Sequence, residues 1–249
     1  MIKNEIRNNY SEKILIIFDF DETITDKDSE YEQARMTLSE NEYKKIIDLD
    51  HDDYYKAFNY FFKKMKELGL TLNDINSNLE KLELSPKIKD LFEYLKLNKN
   101  KYEIIILSGD IDYTIKYVLK YHGYLDLFDE IICNKAIIQN NNSAQLIYVP
   151  NDQFPHSCND CIFCQCKSNE LQKFLDKKGI KYKRIIFICD GGNDICPCKK
   201  ILKNDDIVFP RLDHWFYERM INENIRDELK CHIYPWKSAD EIIIKLKNI

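Results

Sequence analysis

The segment ILIIFDFDETITD, residues 14–26, joins an apolar run to a pair of aspartates. Because the run is rich in β-branched residues and does not alternate with polar ones, it predicts a strand buried on both faces of a parallel sheet. Asp19 and Asp21 follow it, at the sheet edge where open α/β proteins bind ligands. Two residues apart in extended backbone, their carboxylates point to the same side. A hard cation such as Mg²⁺ would relieve their repulsion.

Four more apolar runs of this kind alternate with helical patterns. The runs lie at residues 103–107, 130–133, 184–189 and 206–209. The helical patterns lie at residues 86–96, 113–121 and 169–178, and a glycine follows the last two of them as a C-terminal stop. Strands and helices in this order predict an α/β fold with a doubly wound, mostly parallel sheet.

The chain between the first two predicted strands is far longer than one crossover helix needs. Apolar side chains recur there at helical spacing: Tyr54, Phe58, Phe61, Phe62 and Met65. We predict a helical cap at residues 30–84, inserted into an α/β core of residues 1–29 and 85–249. A second, smaller insert at residues 136–149 has the pattern of a hairpin with the tip NNNS.

Length and composition limit the class of protein. The chain has 249 residues, of which 44% are hydrophobic and 32% charged, with a formal net charge of -5. The negative charge argues against a nucleic-acid binder, since a phosphate backbone needs a basic face. No apolar run approaches the roughly 20 residues of a membrane span, and residues 1–13 lack the apolar core of a signal peptide. We therefore expect a cytoplasmic protein without a membrane span.

Other polar groups follow the other predicted strands. In LSGD, Ser108 and Gly109 end the second strand, and we expect them to open a helix whose N–H groups bind an anion. In DGGND, Asp190 and Asp194 follow the fourth strand, while Lys167 precedes a helix and could supply a counter-charge. Acids, a hydroxyl and a lysine at one sheet edge predict a metal-assisted phosphoryl-transfer site.

Four segments in order, DFDET, LSG, CKSNEL and DGGND, resemble the motifs of the haloacid dehalogenase superfamily of aspartyl phosphatases. The resemblance covers about residues 13–247. HSCNDCIFCQCK and DGGNDICP are further similar to segments of the phosphoethanolamine/phosphocholine phosphatases and their pyridoxal phosphate phosphatase relatives. This implies a Mg²⁺-dependent phosphatase of small phosphomonoesters: phosphoethanolamine, phosphocholine or pyridoxal 5'-phosphate. The alternatives are another small metabolite, such as pyrophosphate or thiamine phosphate, or a non-catalytic zinc- or phosphate-binding protein of the same fold.

The resemblance also implies catalytic roles. Asp19 would be the nucleophile that forms an aspartyl-phosphate, and Asp21 the acid that protonates the leaving oxygen and then activates water. Ser108 and Lys167 would hold the transferred phosphoryl oxygens. Such a nucleophile divides hydrolysis into two easier steps.

The metal ligands are implied in the same way. Asp19 and Asp190 would bind Mg²⁺ through their carboxylates, and Asp21 through its backbone carbonyl. Asp194 would steady that shell. All of these are oxygen donors, which Mg²⁺ prefers.

Two positions depart from the family pattern where the substrate is expected. The family has Ser-Asp where this chain has Ser108-Gly109 followed by Asp110, and Glu30 stands where it usually has Asp. Acids near a phosphate site raise the cost of binding a dianion unless the substrate also carries a cation. Two interpretations stay open: Asp110 caps a helix, or these residues bind the ammonium group of a substrate.

Four of the nine cysteines lie close together: Cys158, Cys161, Cys164 and Cys166. CxxC is a common zinc-ligand spacing, but a second ligand pair farther along the chain is not evident. A structural Zn²⁺ site and simple packing of thiols therefore both stay open, while a reducing compartment argues against disulfides. Cys196 is expected to be a small buried residue.

Overall fold

The computed structural model describes residues 10–50, 54–140, 143–149, 156–161 and 165–249. Within these residues seven strands form one sheet: β1 Tyr10–Phe18, β2 Tyr102–Ile111, β3 Glu130–Asn140, β4 Ser143–Val149, β5 Lys181–Cys189, β6 Ile207–Pro210 and β7 His232–Ile233. Their order is β4-β3-β2-β1-β5-β6-β7. Paired strands are parallel except β3 and β4, which are antiparallel. The predicted α/β fold with a mostly parallel sheet is confirmed.

The helices of the described residues are α1 Ser29–Thr37, α2 Glu40–Asp50, α3 Tyr54–Glu67, α4 Leu72–Leu79, α5 Ile88–Leu97, α6 Asp112–Tyr121, α7 Lys167–Lys178, α8 Ile195–Lys200, α9 Trp215–Asn222 and α10 Ala239–Leu246. The three predicted helical patterns correspond to α5, α6 and α7. Gly123 and Gly179 follow α6 and α7 with φ angles of 77° and 61°, a left-handed conformation that ends a helix and favours glycine. None of these helices combines the length and apolar composition that crossing a bilayer requires.

The central strand β1 is buried on both sides. Ile16 and Phe18 belong to one hydrophobic core, and Leu15 and Ile17 to the core on the opposite face of the sheet. Because alternate side chains of a strand point to opposite faces, a continuous apolar run is what a doubly covered strand requires. The strand ends at Phe18, which places Asp19 at the C-terminal edge of the sheet.

The second strand continues farther than its sequence predicts. β2 runs through Ser108, Gly109 and Asp110, and α6 begins only at Asp112, so the expectation that Ser108 and Gly109 open a helix is wrong. The reason lies in the neighbouring strand: β3 pairs with β2 up to Leu107 and again at Ile111 after an irregularity, and the side chain of Asn134 donates to the Gly109 carbonyl at 2.6 Å. These non-local contacts keep the segment extended.

Helices α1 to α4 lie between β1 and α5, where a helical cap is predicted. In α3 the side chains of Phe58, Phe61, Phe62 and Met65 are buried in the same core as β1. The aromatic spacing therefore marks a packed face of the helix. Tyr54, at the start of α3, instead lines the cavity at the strand ends. The boundaries of the cap, at residues 30–84, stay a prediction.

The antiparallel pair β3–β4 occupies the stretch with the hairpin pattern. Its register runs from Lys135 opposite Val149 to Asn140 opposite Ser143. Asn141 and Asn142, in the predicted tip, lie outside the described residues.

Candidate active site

A small cavity of about 160 Å³ opens at the C-terminal edge of the sheet. The ends of β1, β2 and β5 and the start of α7 bring the predicted site residues to its lining: Asp19, Asp21, Ser108, Gly109, Asp110, Lys167 and Asp190. Asp194 lies directly behind it, in contact with Lys167. Residues that are far apart in sequence meet here because parallel strands end at the same edge.

Lys167 is the buried cation of the site. It is the first residue of α7, and its side chain is only 1% exposed. Its Nζ lies 2.7 Å from Asp19 Oδ2 and 2.6 Å from Asp194 Oδ1. Burial alone would lower the pKa of Lys167, but the two carboxylates raise it well above its ordinary value. The ammonium therefore stays charged and is placed to meet an anion.

Three carboxylates share this corner of the cavity. Asp19, Asp190 and Asp194 are buried, and each offers an oxygen within 4.8 Å of the others. Burial, and then the charge of Asp19, raise the pKa of Asp190 well above its usual range and that of Asp194 to about 7. One lysine cannot offset three carboxylates, so the group gains from a divalent cation. Hard oxygen donors at this spacing fit Mg²⁺.

Two neighbouring contacts fix the orientation of these acids. Thr23 Oγ1 donates to Asp190 Oδ1 at 2.8 Å, and the backbone N–H of Gly191 donates to Asp194 Oδ2 at 2.9 Å. A Cβ added at Gly191 would lie 2.9 Å from Asn193 Oδ1 and 3.2 Å from Asp194 Oδ2. A larger residue at this position would therefore displace the side chains of Asn193 and Asp194.

Asp21 faces a different environment from Asp19. Its carboxylate accepts from the backbone N–H of Ser29 at 2.8 Å. Burial, with smaller contributions from the charges of Asp19 and Glu22, raises the pKa of Asp21 to about 7. A carboxyl group with such a pKa can both give and take a proton near neutrality, as a general acid and base must.

The turn after Asp21 is held by Arg211, which follows β6. Glu22 has a φ of 52°, in the left-handed region that non-glycine residues seldom adopt. Arg211 donates to the Glu22 carbonyl at 2.5 Å and pairs with Asp26 at 2.5 Å, while its guanidinium lies 5.5 Å from the centre of the Trp236 ring. These contacts stabilise a strained turn and so fix the direction of Asp21.

A second group of acids, which we call the acidic wall, lies at the cavity next to Asp21. Asp28 and Asp110 line the cavity, whereas Glu30 lies behind the lining and is fully buried. Ser29 Oγ donates to Asp110 Oδ2 at 3.0 Å, and the Tyr54 hydroxyl donates to Glu30 Oε2, while Glu30 Oε1 has no hydrogen-bond partner among the residues that the structure describes. Burial, followed by repulsion from neighbouring carboxylates, raises the pKa of all three acids well above their usual range. Asp110 is a strand residue here, so the helix-cap interpretation is wrong.

Three of the four predicted cysteines lie close together near the start of α7. Cys158, Cys161 and Cys166 converge, and the fourth thiol of the group is that of Cys196. Cys164, which the sequence suggested as a member, lies outside the described residues.

The chain is similar to known proteins over nearly its whole length. Residues 14–249 match the family model described as "Putative Phosphatase". The chain belongs to this phosphatase family. It is 31% identical over 245 residues to pyridoxal phosphate phosphatase PHOSPHO2 of Homo sapiens, covering 94% of this chain and 98% of that protein. It is 25% identical over 244 residues to the phosphoethanolamine/phosphocholine phosphatase of Homo sapiens, covering 95% and 89%.

The fold of the phosphatase is also found among solved structures. A substrate-bound phosphoserine phosphatase superposes with a TM-score of 0.61 at 19% identity, covering 96% of this chain and 99% of that one. At this identity the likeness concerns the fold. The resemblance to the haloacid dehalogenase superfamily is confirmed, and the protein is a phosphoric monoester hydrolase.

Several cavity residues of the phosphatase were not indicated by its motifs. Asp28 is the N-cap of α1 and accepts from the backbone N–H of Tyr31 at 2.9 Å. This ordinary capping pattern does not indicate that the residue also lines a cavity. Trp215 lies in none of the motifs, yet it lines the cavity and is 65% exposed. Arg211, which is not in the cavity lining but holds the turn after Asp21, carries no local signal either, because Glu22 and Asp26 are more than 180 residues away in sequence.

Proposed function

We propose that this phosphatase hydrolyses small phosphomonoesters in two steps, through an aspartyl-phosphate on Asp19. First, a carboxylate oxygen of Asp19 attacks phosphorus, the bond from phosphorus to the ester oxygen breaks, and Asp21 protonates the departing oxygen. Then the Asp21 carboxylate takes a proton from a water molecule that attacks phosphorus, which releases phosphate and restores Asp19. Ser108 and Lys167 hold the phosphoryl oxygens throughout.

The observation that carries this proposal is the contact between Lys167 and Asp19. A buried ammonium 2.7 Å from the nucleophilic carboxylate is placed to neutralise a phosphoryl group that arrives there. Ser108 lies on the cavity wall, and its hydroxyl oxygen accepts from the Asp110 N–H at 3.1 Å, which leaves the hydroxyl proton for a phosphoryl oxygen.

Mg²⁺ is the proposed cofactor. Asp19 and Asp190 would hold it with the backbone carbonyl of Asp21, and Asp194, which contacts Lys167, would steady the shell. Bound there, Mg²⁺ supplies positive charge that offsets the repulsion between the nucleophile and a phosphate dianion.

Asp19→Asn tests the catalytic proposal against a non-catalytic protein of the same fold. With p-nitrophenyl phosphate and Mg²⁺, the wild-type protein should turn over, and the variant should lose at least ~10³-fold in kcat/KM with an unchanged circular dichroism spectrum. A wild-type protein without turnover supports the non-catalytic alternative. A variant that retains more than a few per cent of activity contradicts the role of Asp19.

For the substrate, we propose a small phosphomonoester that carries an ammonium or quaternary amine, such as phosphoethanolamine or phosphocholine. Support comes from the lining of the cavity, which holds the carboxylates of Asp28 and Asp110 in addition to Lys167, while the lysine itself is paired with Asp19 and Asp194. Crowded acids gain most from a cation. The volume of about 160 Å³ is below that of cavities for drug-sized ligands, which favours a small molecule.

Pyridoxal 5'-phosphate is the second candidate. The relative named for that substrate is 31% identical over 94% of this chain. Tyr54 and Trp215, at the cavity, offer aromatic surfaces for a flat ring.

A panel of phosphorylated metabolites separates these candidates. We expect kcat/KM for phosphoethanolamine or phosphocholine to exceed that for p-nitrophenyl phosphate, since only the former carry a cation. Pyridoxal phosphate as the best substrate supports the second candidate. A preference for pyrophosphate contradicts both, and thiamine phosphate as the best substrate points to a larger cationic metabolite.

The cap and the cellular location belong to the same proposal. Residues 30–84 would close over the bound substrate and exclude water that competes with the reaction. We propose a cytoplasmic location because a reducing compartment would keep the nine cysteines as thiols or metal ligands.

A further inference from the structure

Beside the active site, but separate from its cavity, lies a compact group of sulfur atoms. We propose that four cysteines bind one structural zinc ion: Cys158, Cys161, Cys166 and Cys196. This site would be independent of which substrate the phosphatase hydrolyses.

The sulfur positions suit a tetrahedral ion. All four Sγ atoms lie within 4.8 Å of one another, with 3.3 Å between Cys158 and Cys196 and 3.9 Å between Cys166 and Cys196. Four thiolates at about 2.3 Å from zinc would lie about 3.8 Å apart. All four cysteines are free, and these separations far exceed the roughly 2.05 Å of a disulfide. Four sulfur ligands leave no open position, as in structural zinc sites.

The ligands come from separate segments and complete the set that the sequence left open. Cys158 and Cys161 form the CxxC pair in a described stretch, residues 156–161, without helix or strand. Cys166 is the N-cap of α7, and Cys196 is the second residue of α8. The two helix ends thus supply the missing pair, and the ion would tie the irregular segment to both.

The surroundings suit a negatively charged sulfur centre. Lys200 Nζ lies 3.2 Å from Cys158 Sγ, and Ser168 Oγ lies 2.7 Å from Cys196 Sγ. Four thiolates around Zn²⁺ carry a net charge of two minus, which the lysine offsets in part. Hydrogen-bond donors to the sulfur ligands orient them and tune the metal.

The proposed ion would also fix the active site. Cys166 immediately precedes Lys167, and Cys196 follows Asp194 by two residues. Cys161 Sγ lies 3.8 Å from the carbonyl oxygen of Asn193, the residue before Asp194. Zinc would therefore hold both ends of the buried pair between Lys167 and Asp194 without touching the substrate.

Metal analysis of purified variants tests the site. The wild-type protein, produced without a histidine tag in zinc-supplemented medium, should contain about one zinc per chain. Cys196→Ser and the double variant Cys158→Ser with Cys161→Ser should lose most of it. Cys133→Ser, which alters a buried cysteine of β3 outside the cluster, should keep it.

A second measurement on the wild-type protein covers the case in which these variants do not fold. Titration with an organomercurial should release about one zinc per chain, detected with a metallochromic dye, as the cluster thiols react. Protein with no metal, with iron instead of zinc, or with a disulfide within the cluster overturns the proposal. Equal zinc content in the wild type and in folded Cys196→Ser also overturns it.

Discussion

Two clusters of ionisable side chains occur in this phosphatase, and they differ in their donor atoms and in their relation to the cavity. Asp19, Asp190 and Asp194 offer hard oxygens at a cavity that a small molecule can enter. The four clustered thiols offer soft sulfur, and none of them is among the described residues that line this cavity. The oxygen cluster pairs with the fully buried Lys167, and the sulfur cluster with the exposed Lys200.

The contrast suggests a catalytic role for the oxygen cluster and a structural role for the sulfur cluster. A buried charge surrounded by like-charged acids is costly unless each group is paired, so the oxygen cluster is poised to receive a cation and a phosphate. With zinc bound as we propose, the sulfur cluster would have no open position and would support the oxygen cluster through the backbone at residues 166–167 and 194–196. The two clusters should therefore respond differently to the same perturbation.

Removal of hard metal ions should give the largest difference. Brief treatment with EDTA should reduce turnover by at least ~10²-fold, and Mg²⁺ should restore it, because the carboxylates again repel the phosphate when the cation is gone. The zinc content, measured in parallel by mass spectrometry, should stay unchanged over that time. Activity that returns with Zn²⁺ but not with Mg²⁺ would contradict the assignment of Mg²⁺ to the carboxylate cluster.

Replacing the lysine beside each cluster should give the second-largest difference between the two clusters. Lys167→Met should reduce kcat/KM by about 10²-fold and destabilise the protein by roughly 3 kcal/mol, since Asp19 and Asp194 lose their buried partner. Lys200→Met, at an exposed position, should leave both properties close to those of the wild type. Denaturant titration and steady-state kinetics measure the two effects. Similar losses in both variants would contradict the difference in role.

The acidic wall should show the smallest effect. Asp110→Asn should raise KM for phosphoethanolamine about fivefold more than KM for p-nitrophenyl phosphate, which corresponds to about 1 kcal/mol of ion pairing. Asp205→Asn, at an exposed acid, is the matched control and should change neither value. Equal effects of Asp110→Asn on the two substrates would remove the proposed contact with a cation.

The oxygen cluster could be predicted from the sequence, because its residues follow strands, and local apolar runs predict that these strands are buried. Leu15 to Phe18 are buried on both faces of the sheet, so the position of Asp19 follows from the run itself. The carboxyl ends of parallel strands then bring Asp19 and Asp190 together whatever their distance in sequence.

The rest depends on contacts that a local pattern does not contain. The extension of β2 through Ser108 requires Asn134 of β3, and the fourth sulfur of the cluster, that of Cys196, lies 30 positions from Cys166. The two-residue strand β7 is too short to show periodicity. Asp28 satisfies a helix N-cap pattern, which conceals its position on the cavity wall.

Covalent trapping tests the central claim, that Asp19 is the nucleophile. With p-nitrophenyl phosphate, whose leaving group departs without a proton, Asp21→Asn should slow the second step more than the first, because the amide cannot take a proton from water, so phosphate should accumulate on the enzyme during turnover. Borohydride reduction followed by peptide mass spectrometry then locates the acyl phosphate. Reduction at Asp19, and none in protein incubated without substrate, is the predicted result. A reduced site at Asp190, or at any other residue, would contradict the account.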